Sequence, residues 1–186
     1  VADGLFYNDL REPFMAADQG AVTLSTTNKA LYTPSAFPVL GGQYFVRIGK
    51  KIRIRLFGKI TTGATPGNLT LGAYYGSGAD ATGILLVSSA AIALIASQTN
   101  ISFMIELFAH ARSLGSAGTL FVTGKAHFNP AVIASTSQPI LIPASAAVVS
   151  GACDLTAANI LSIQALRSGS TAETMTVQDM EVVAMN

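Results

Sequence analysis

Residues 50–76, KKIRIRLFGKITTGATPGNLTLGAYYG, carry the clearest two-residue period in the chain, and that period restricts what the chain can fold into. Ile52, Ile54, Leu56 and Ile60 alternate with Lys51, Arg53, Arg55 and Lys59. Successive side chains of an extended strand point to opposite faces, so one face here is apolar and the other cationic. After Thr61 the pattern lapses, and Gly63, Pro66 and Gly67 supply turn chemistry. Leu69, Leu71, Ala73 and Tyr75 then resume the alternation. The stretch reads as a β-hairpin with a longer loop, at the centre of a β-sandwich.

The rest of the chain repeats this grammar without a helical period. Residues 21–24 and 29–32 are short strand candidates, and Pro34 and Pro38 confine the passage after them to an edge or a loop. Gly41 and Gly42 turn the chain before the apolar stretch 44–48. GSGADATG at 76–83 is a turn, 84–88 the next strand, and 90–96 a strand or a loop. From 100 to 112, Ile101, Phe103, Ile105, Leu107 and Ala109 point one way, and Ser102, Met104, Glu106, Phe108 and His110 the other. The second set is semi-apolar, which suits a sheet covered on both sides. Residues 119–128 answer as the antiparallel partner with Leu120, Val122, Gly124 and Ala126 inward, closed by Asn129-Pro130. A Ser/Thr/Pro-rich connection at 131–143 holds a short strand at 140–142, and Ile160, Leu161, Ile163 and Leu166 mark another. The turn at 167–172 leads to the last strand at 173–184. Short strands with Gly/Pro/Ser turns and a crossing connection predict an all-β chain: a jelly-roll-like antiparallel β-sandwich with an extended N-terminal arm. The division is an arm and edge segment over 1–40 and the sandwich over 41–186.

Composition says how such a sandwich lives. A chain of 186 residues fits one domain, able to bury roughly 70% of its unfolded surface. Only 11% of its residues are charged, against about 25% in ordinary soluble domains. Partner subunits are therefore expected over much of the exterior, although a small-residue-rich monomer surface is the alternative. The net charge of +1 excludes a strongly steered nucleic-acid binder. Six of the 11 basic residues, Arg47, Lys50, Lys51, Arg53, Arg55 and Lys59, share one segment, while the first twenty residues hold Asp3, Asp9, Glu12 and Asp18 against Arg11. The acidic arm and basic face can pair between neighbouring subunits, or the basic face is simply solvated. The single Cys153 permits no internal disulfide and points to intracellular synthesis, with the thiol as a small buried group. The opening VADGLFYNDLREP is acidic where a signal peptide is basic. The apolar run 84–96 is too short to span a bilayer and reads as core strand, so no membrane partner is expected.

Catalytic chemistry is not written in the chain. His110 and His127 are the only histidines and fall on adjacent predicted strands, where they are candidate cross-strand neighbours. With Glu106 and Asp80 they could supply metal ligands or a base; alternatively both face outward toward a partner. No Gly-x-Ser-x-Gly elbow occurs, and neither glycine cluster (76–78, 115–118) lies between a strand and a helix. Glu173, Asp179 and Glu181 read as a solvated strand face. Tyr74 and Tyr75 must point to opposite faces, one core and one exposed, the exposed one a candidate for sugar stacking or subunit contact. The expectation is no enzyme, no cofactor and no metal.

The run Arg53-Ile54-Arg55, Gly58-Lys59-Ile60-Thr61-Thr62-Gly63-Ala64-Thr65-Pro66-Gly67, Leu69-Thr70-Leu71-Gly72 and Gly76 resembles structural proteins of tailed bacteriophages. It continues with a strand like 101–112, a Gly-Thr strand like 118–124 and the passage Asp154-Leu155-Thr156-Ala157-Ala158-Asn159. The likeness runs from Lys50 to the C-terminus. It implies a virion protein made in the host cytoplasm, a decoration or cement protein on the capsid exterior that partners the major capsid protein and forms a homo-oligomer, commonly a trimer. Leu5, Phe6, Tyr7, Leu10 and Phe14 of the arm would then grip the capsid or an adjacent copy, with Arg53 and Arg55 as further partner contacts. The alternative, from related sandwiches, is a receptor- or glycan-binding module of a tail or head fibre.

Overall fold

The computed structural model describes residues 18–40, 44–134, 138–147 and 149–185. Leu5, Phe6, Tyr7, Leu10 and Phe14 lie outside them. The described strands are β1 (Val22–Thr23), β2 (Lys29–Ala30), β3 (Lys51–Thr61), β4 (Asn68–Gly76), β5 (Ile84–Ser88), β6 (Ile92–Ala93), β7 (Ile101–Ser113), β8 (Thr119–Phe128), β9 (Ile140–Ile142), β10 (Ile160–Arg167) and β11 (Thr174–Ala184), with one 3-10 turn at Pro34–Ala36. They form two antiparallel sheets, β1-β11-β3-β7-β8-β9 and β2-β10-β4-β5, with β6 also paired to β4. The chain is an all-β, jelly-roll-like sandwich in which successive strands repeatedly change sheets.

The two-residue period explains the core. Ile52, Ile54, Leu56 and Ile60 of β3 are buried beside Ile105 and Leu107 of β7, Leu120 and Val122 of β8, and Met175, Met180 and Val182 of β11. Facing them from the other sheet are Leu69, Leu71, Ala73 and Tyr75 of β4 and Leu161, Ile163 and Ala165 of β10. Position 58 is the one place on the inward side of β3 without a side chain. A Cβ on Gly58 would run into the Thr176 carbonyl and lie 2.8 Å from the Phe103 ring. The ring of Phe103 uses the space that glycine leaves.

The faces of 50–76 are as its period predicts, but its two strands are not a hairpin. β3 pairs with β11 and β7, whereas β4 pairs with β10, β5 and β6 in the opposite sheet. The intervening residues 62–67 form an arch across the ~10 Å between packed sheets. The arch is fixed to the segment after β6: Thr62 N–H donates to the Gln98 carbonyl (2.8 Å), Ser97 N–H to Gly63 (2.8 Å), and the Thr62 hydroxyl to Ile95 (2.6 Å). These bonds satisfy the backbone that a hairpin would have paired internally.

A second arch, 168–173, joins β10 to β11 and lies against the first. The backbones of Gly67 and Gly169 touch, so a Cβ on either would collide with the other's main chain. Glu173, expected on a solvated face, is completely buried here. The reason is Arg167, whose Nε is 3.3 Å from Glu173 Oε2 and donates to the Leu24 carbonyl at 2.8 Å. The Thr171 hydroxyl lies within hydrogen-bond reach of the Glu173 carboxylate and of the Thr65 carbonyl. One buried ion pair thus ties both arches to the chain beside β1.

Elsewhere the differences are smaller. The apolar run 84–96 is only partly core, since Leu86, Val87, Ile92 and Leu94 are buried but Ile84 and Leu85 stay 40% and 47% exposed at the edge of their sheet. Residues 44–50 form no strand, although Tyr44 and Phe45 are buried. On the outside of β10, Ile160, Ser162 and Gln164 are also buried, because the turn 77–82 folds over them and Gln164 Nε2 donates to the Ala79 and Thr82 carbonyls (3.2 and 3.1 Å). Tyr32 holds the segment after β2 on the same strand, its hydroxyl donating to Leu161 O (2.7 Å) and accepting from Ile163 N–H (3.1 Å).

Gly58→Ala is expected to destabilise the protein by about 1–3 kcal/mol, the usual cost of forcing a group into a filled core. Urea unfolding checks this, and an unchanged midpoint would mean that Phe103 yields without strain.

Candidate interaction face

With the outer side of β10 covered by its own chain, the broad sheet surface left open among the described residues is the outer face of the six-stranded sheet. Register places its side chains in cross-strand rows. Glu181, Arg55, Glu106 and Lys125 make the central row. On one side lies the row of Asp179, Phe57, Met104 and His127. On the other lie Arg53, Phe108 and Thr123, then Lys51, His110 and Phe121.

The central row is an ion-pair belt. Arg55 Nε donates to Glu106 Oε1 at 2.6 Å and its Nη1 to Glu181 at 3.4 Å, Arg53 Nη2 donates to Glu181 at 2.8 Å, and Lys125 Nζ is 3.6 Å from Glu106. Arg53 and Arg55, expected to reach for a partner, are ion-paired to their own chain's carboxylates. Glu106 is 6% exposed. Burial pushes its carboxyl up, but the hydrogen bond and charge of Arg55, with Lys125, outweigh that and hold it below its ordinary value.

The row beyond Arg53 is cationic and aromatic. Lys51 Nζ sits 4.6 Å from the centroid of Phe108, the Arg112 guanidinium 4.7 Å from that of Phe121, and His110 packs edge-on against Phe121. Contacts of this kind fasten long side chains to the sheet. Burial first, then the charges of Lys51 and Arg112, lower the pKa of His110 below its ordinary value, which favours the neutral imidazole. The two histidines do not meet. His110 lies opposite Phe121 and His127 opposite Met104, six residues apart along β8. Sequence shows only that their strands are adjacent, and register separates them.

His127 lines a cleft of about 320 Å3 with Phe57, Met104 and Asn129. A second cleft, about 340 Å3, is lined by Asp18, Lys59, Asn100 and Thr176 where the described chain begins. A third, about 390 Å3, lies between Gln19, Tyr32, Pro34 and Asp80. Asp80 is occupied there, accepting from Lys29 Nζ and Ala30 N–H, each at 2.8 Å. Among the described residues no three of His, Cys, Asp and Glu are grouped to hold a metal ion. Cys153 is buried, and burial pushes its thiol up. Tyr75 is core and Tyr74 is half-buried and hydrogen-bonded to Asn28. No helix of the described chain is long and apolar enough to cross a membrane.

No family model matches the chain, and no curated protein does. Two solved structures are similar in outline. A legume lectin-like domain from Entamoeba histolytica is 10% identical with a TM-score of 0.30, over 77% of this chain and 76% of that one. The metal-free lectin I-B4 from Griffonia simplicifolia is 7% identical with a TM-score of 0.32, over 89% and 93% of the two chains. At those values neither bears on what this chain does.

The belt makes stability depend on pH with a definite sign. A carboxyl whose folded pKa is lowered contributes stability above its unfolded pKa and loses it as pH falls through the folded value. Glu106→Gln should therefore be less stable than the parent at pH 7, with the gap closing as pH falls below the ordinary value of 4.5. Thermal unfolding across that range checks the sign.

Proposed function

We propose that this chain is a structural virion protein that binds the outer surface of a tailed-phage capsid and stabilises the shell, as a decoration or cement protein. One observation carries the proposal: the broad outer face of the six-stranded sheet, whose central charges are held in internal ion pairs and which carries Phe57 and Leu141 exposed at 38% and 64%. A face whose charges are satisfied within the chain loses little on being covered, and its apolar side chains gain by it. Likeness to phage structural proteins from Lys50 onward and the low charged fraction, 11%, support the same reading. Major capsid protein is the partner, and neighbouring copies of this chain complete the contact. The mechanism is linkage: a protein that binds only the assembled shell stabilises that state.

Particles stripped of the protein should break at lower temperature or weaker osmotic shock than complete ones, and adding it back should restore them. Phe57→Asp with Leu141→Asp should lower occupancy on such particles by about tenfold or more, since each buries a charge in the contact, while the unfolding midpoint of the isolated protein barely moves. Equal survival of stripped particles sinks the cement reading. Binding of the isolated protein to cell-surface glycan, with none to particles, replaces it by the fibre-module alternative.

A further inference from the structure

One flank of the sandwich is built from two stretches of chain without charge. Between Asp80 and Glu106 the sequence holds no Asp, Glu, Lys or Arg, and it holds none between Lys125 and Asp154. All 11 basic and 10 acidic residues lie outside these two runs. The first run carries β5 and β6 and the second β9, and β5 and β9 are edges of their respective sheets. The fold joins the runs along one side: Ala144 N–H donates to Ser88 O (3.3 Å), Ile95 N–H to Val132 O (2.9 Å) and Ala134 N–H to Ala93 O (2.9 Å). The other two edges, β1 and β2, lie beside ion pairs, Arg167 with Glu173 and Lys29 with Asp80.

Within this flank β5 is the least guarded edge. Edge strands resist pairing with other chains by being short or by carrying proline or charge. β1 and β2 are two residues long, and β9 is three residues between Pro139 and Pro143. β5 is five residues, ILLVS, with neither proline nor charge. Its one irregularity, a shift of register at Ala73/Tyr74, is in the ladder to β4. The Ser88 end is closed by Ala144, but among the described residues no backbone outside β4 bonds to Ile84, Leu85, Leu86 or Val87. Ile84 and Leu85 are 40% and 47% exposed there.

The lack of charge also says which kind of partner fits. Contacts between unlike chains use charge to choose the partner, whereas permanent contacts between identical chains are more apolar and poor in charge at their core. An uncharged edge meets its own copy without repulsion, and antiparallel pairing makes a strand complementary to itself about a two-fold axis.

We propose that this flank joins two copies of the chain, with the β5 strands paired antiparallel across a two-fold axis. The β2-β10-β4-β5 sheet then runs continuously through both copies, and Ile84 and Leu85 of each are covered by the other. The inference goes beyond the decoration reading and does not rest on it.

Sedimentation and amide hydrogen exchange of the full chain test it. The parent should form dimers on concentration, and raising the salt should not weaken them, since no ion pair is involved. Leu85→Lys, at an exposed position, should weaken association by about tenfold or more by supplying the guard that the edge lacks. In the parent, the amides of β5 should exchange more slowly as the protein is concentrated, a readout that needs no variant to fold. A parent that stays monomeric, a Leu85→Lys protein that associates like the parent, dimers that weaken with salt, or β5 amides indifferent to concentration overturns the proposal. Protection of β5 by capsid particles in a protein that is otherwise monomeric also overturns it and assigns the flank to the shell. Dimers that bind no particles support this contact and refute the capsid reading alone.

Discussion

Two arches cross the sandwich side by side, and the fold depends on their being able to touch. Residues 62–67 carry the chain from β3 to β4 and 168–173 from β10 to β11. They meet where Gly67 and Gly169 pass main chain against main chain. Contact at that distance excludes any side chain. It leaves room for Arg167 and Glu173 beneath, where the buried pair also takes the Leu24 carbonyl and the Thr171 hydroxyl. A buried carboxylate is tolerated only with its partners in place, so the pair specifies how the two crossings and the chain at β1 sit together. With both crossings fixed, β3 is free to pair on each side, with β11 and β7, and to hold the centre of the open sheet.

On that sheet one pattern of alternating residues produces two electrostatic regimes. In the middle, Arg53, Arg55 and Lys125 meet Glu181 and Glu106, so every one of these charges is ion-paired within the molecule. Toward the start of β3 the same face has aromatic residues beside its cations, Lys51 over Phe108 and Arg112 over Phe121. The difference comes from register: Arg55 lies opposite Glu106, but Lys51 lies opposite His110. A shift of two residues would preserve every inward side chain and rearrange the whole outward charge pattern. The outer face is therefore a sensitive record of pairing that the core does not share.

Much of the fold is legible in the chain because burial follows a local rule. Alternation alone places Ile52, Ile54, Leu56, Leu69 and Leu71 inside, and turn residues bound β5 and β9 at 84–88 and 140–142. What alternation does not contain is sheet membership. A strand, a Gly/Thr/Pro link and another strand read alike as a hairpin and as an arch, and the choice is made by partners far away, β11 and β10. The same limit applies to the face. Arg53 and Arg55 are visible as outward cations, but Glu181 is 128 and 126 residues distant from them. Glu173 shows it most sharply, since a carboxylate at the start of an amphipathic strand looks solvated until Arg167 is folded over it.

The turn at 77–82 closes the outer side of β10, where Gln164 is sealed beneath the Ala79 and Thr82 carbonyls. Among the described residues the two broad sides of the sandwich are thus unlike: β10 is covered by the chain's own turn, and the outer face of the six-stranded sheet is not. A body of that shape has a front and a back. A partner can cover the open face without displacing any of the chain, whereas one approaching the other side over β10 would first have to lift the turn from Gln164 and leave its amide unpaired.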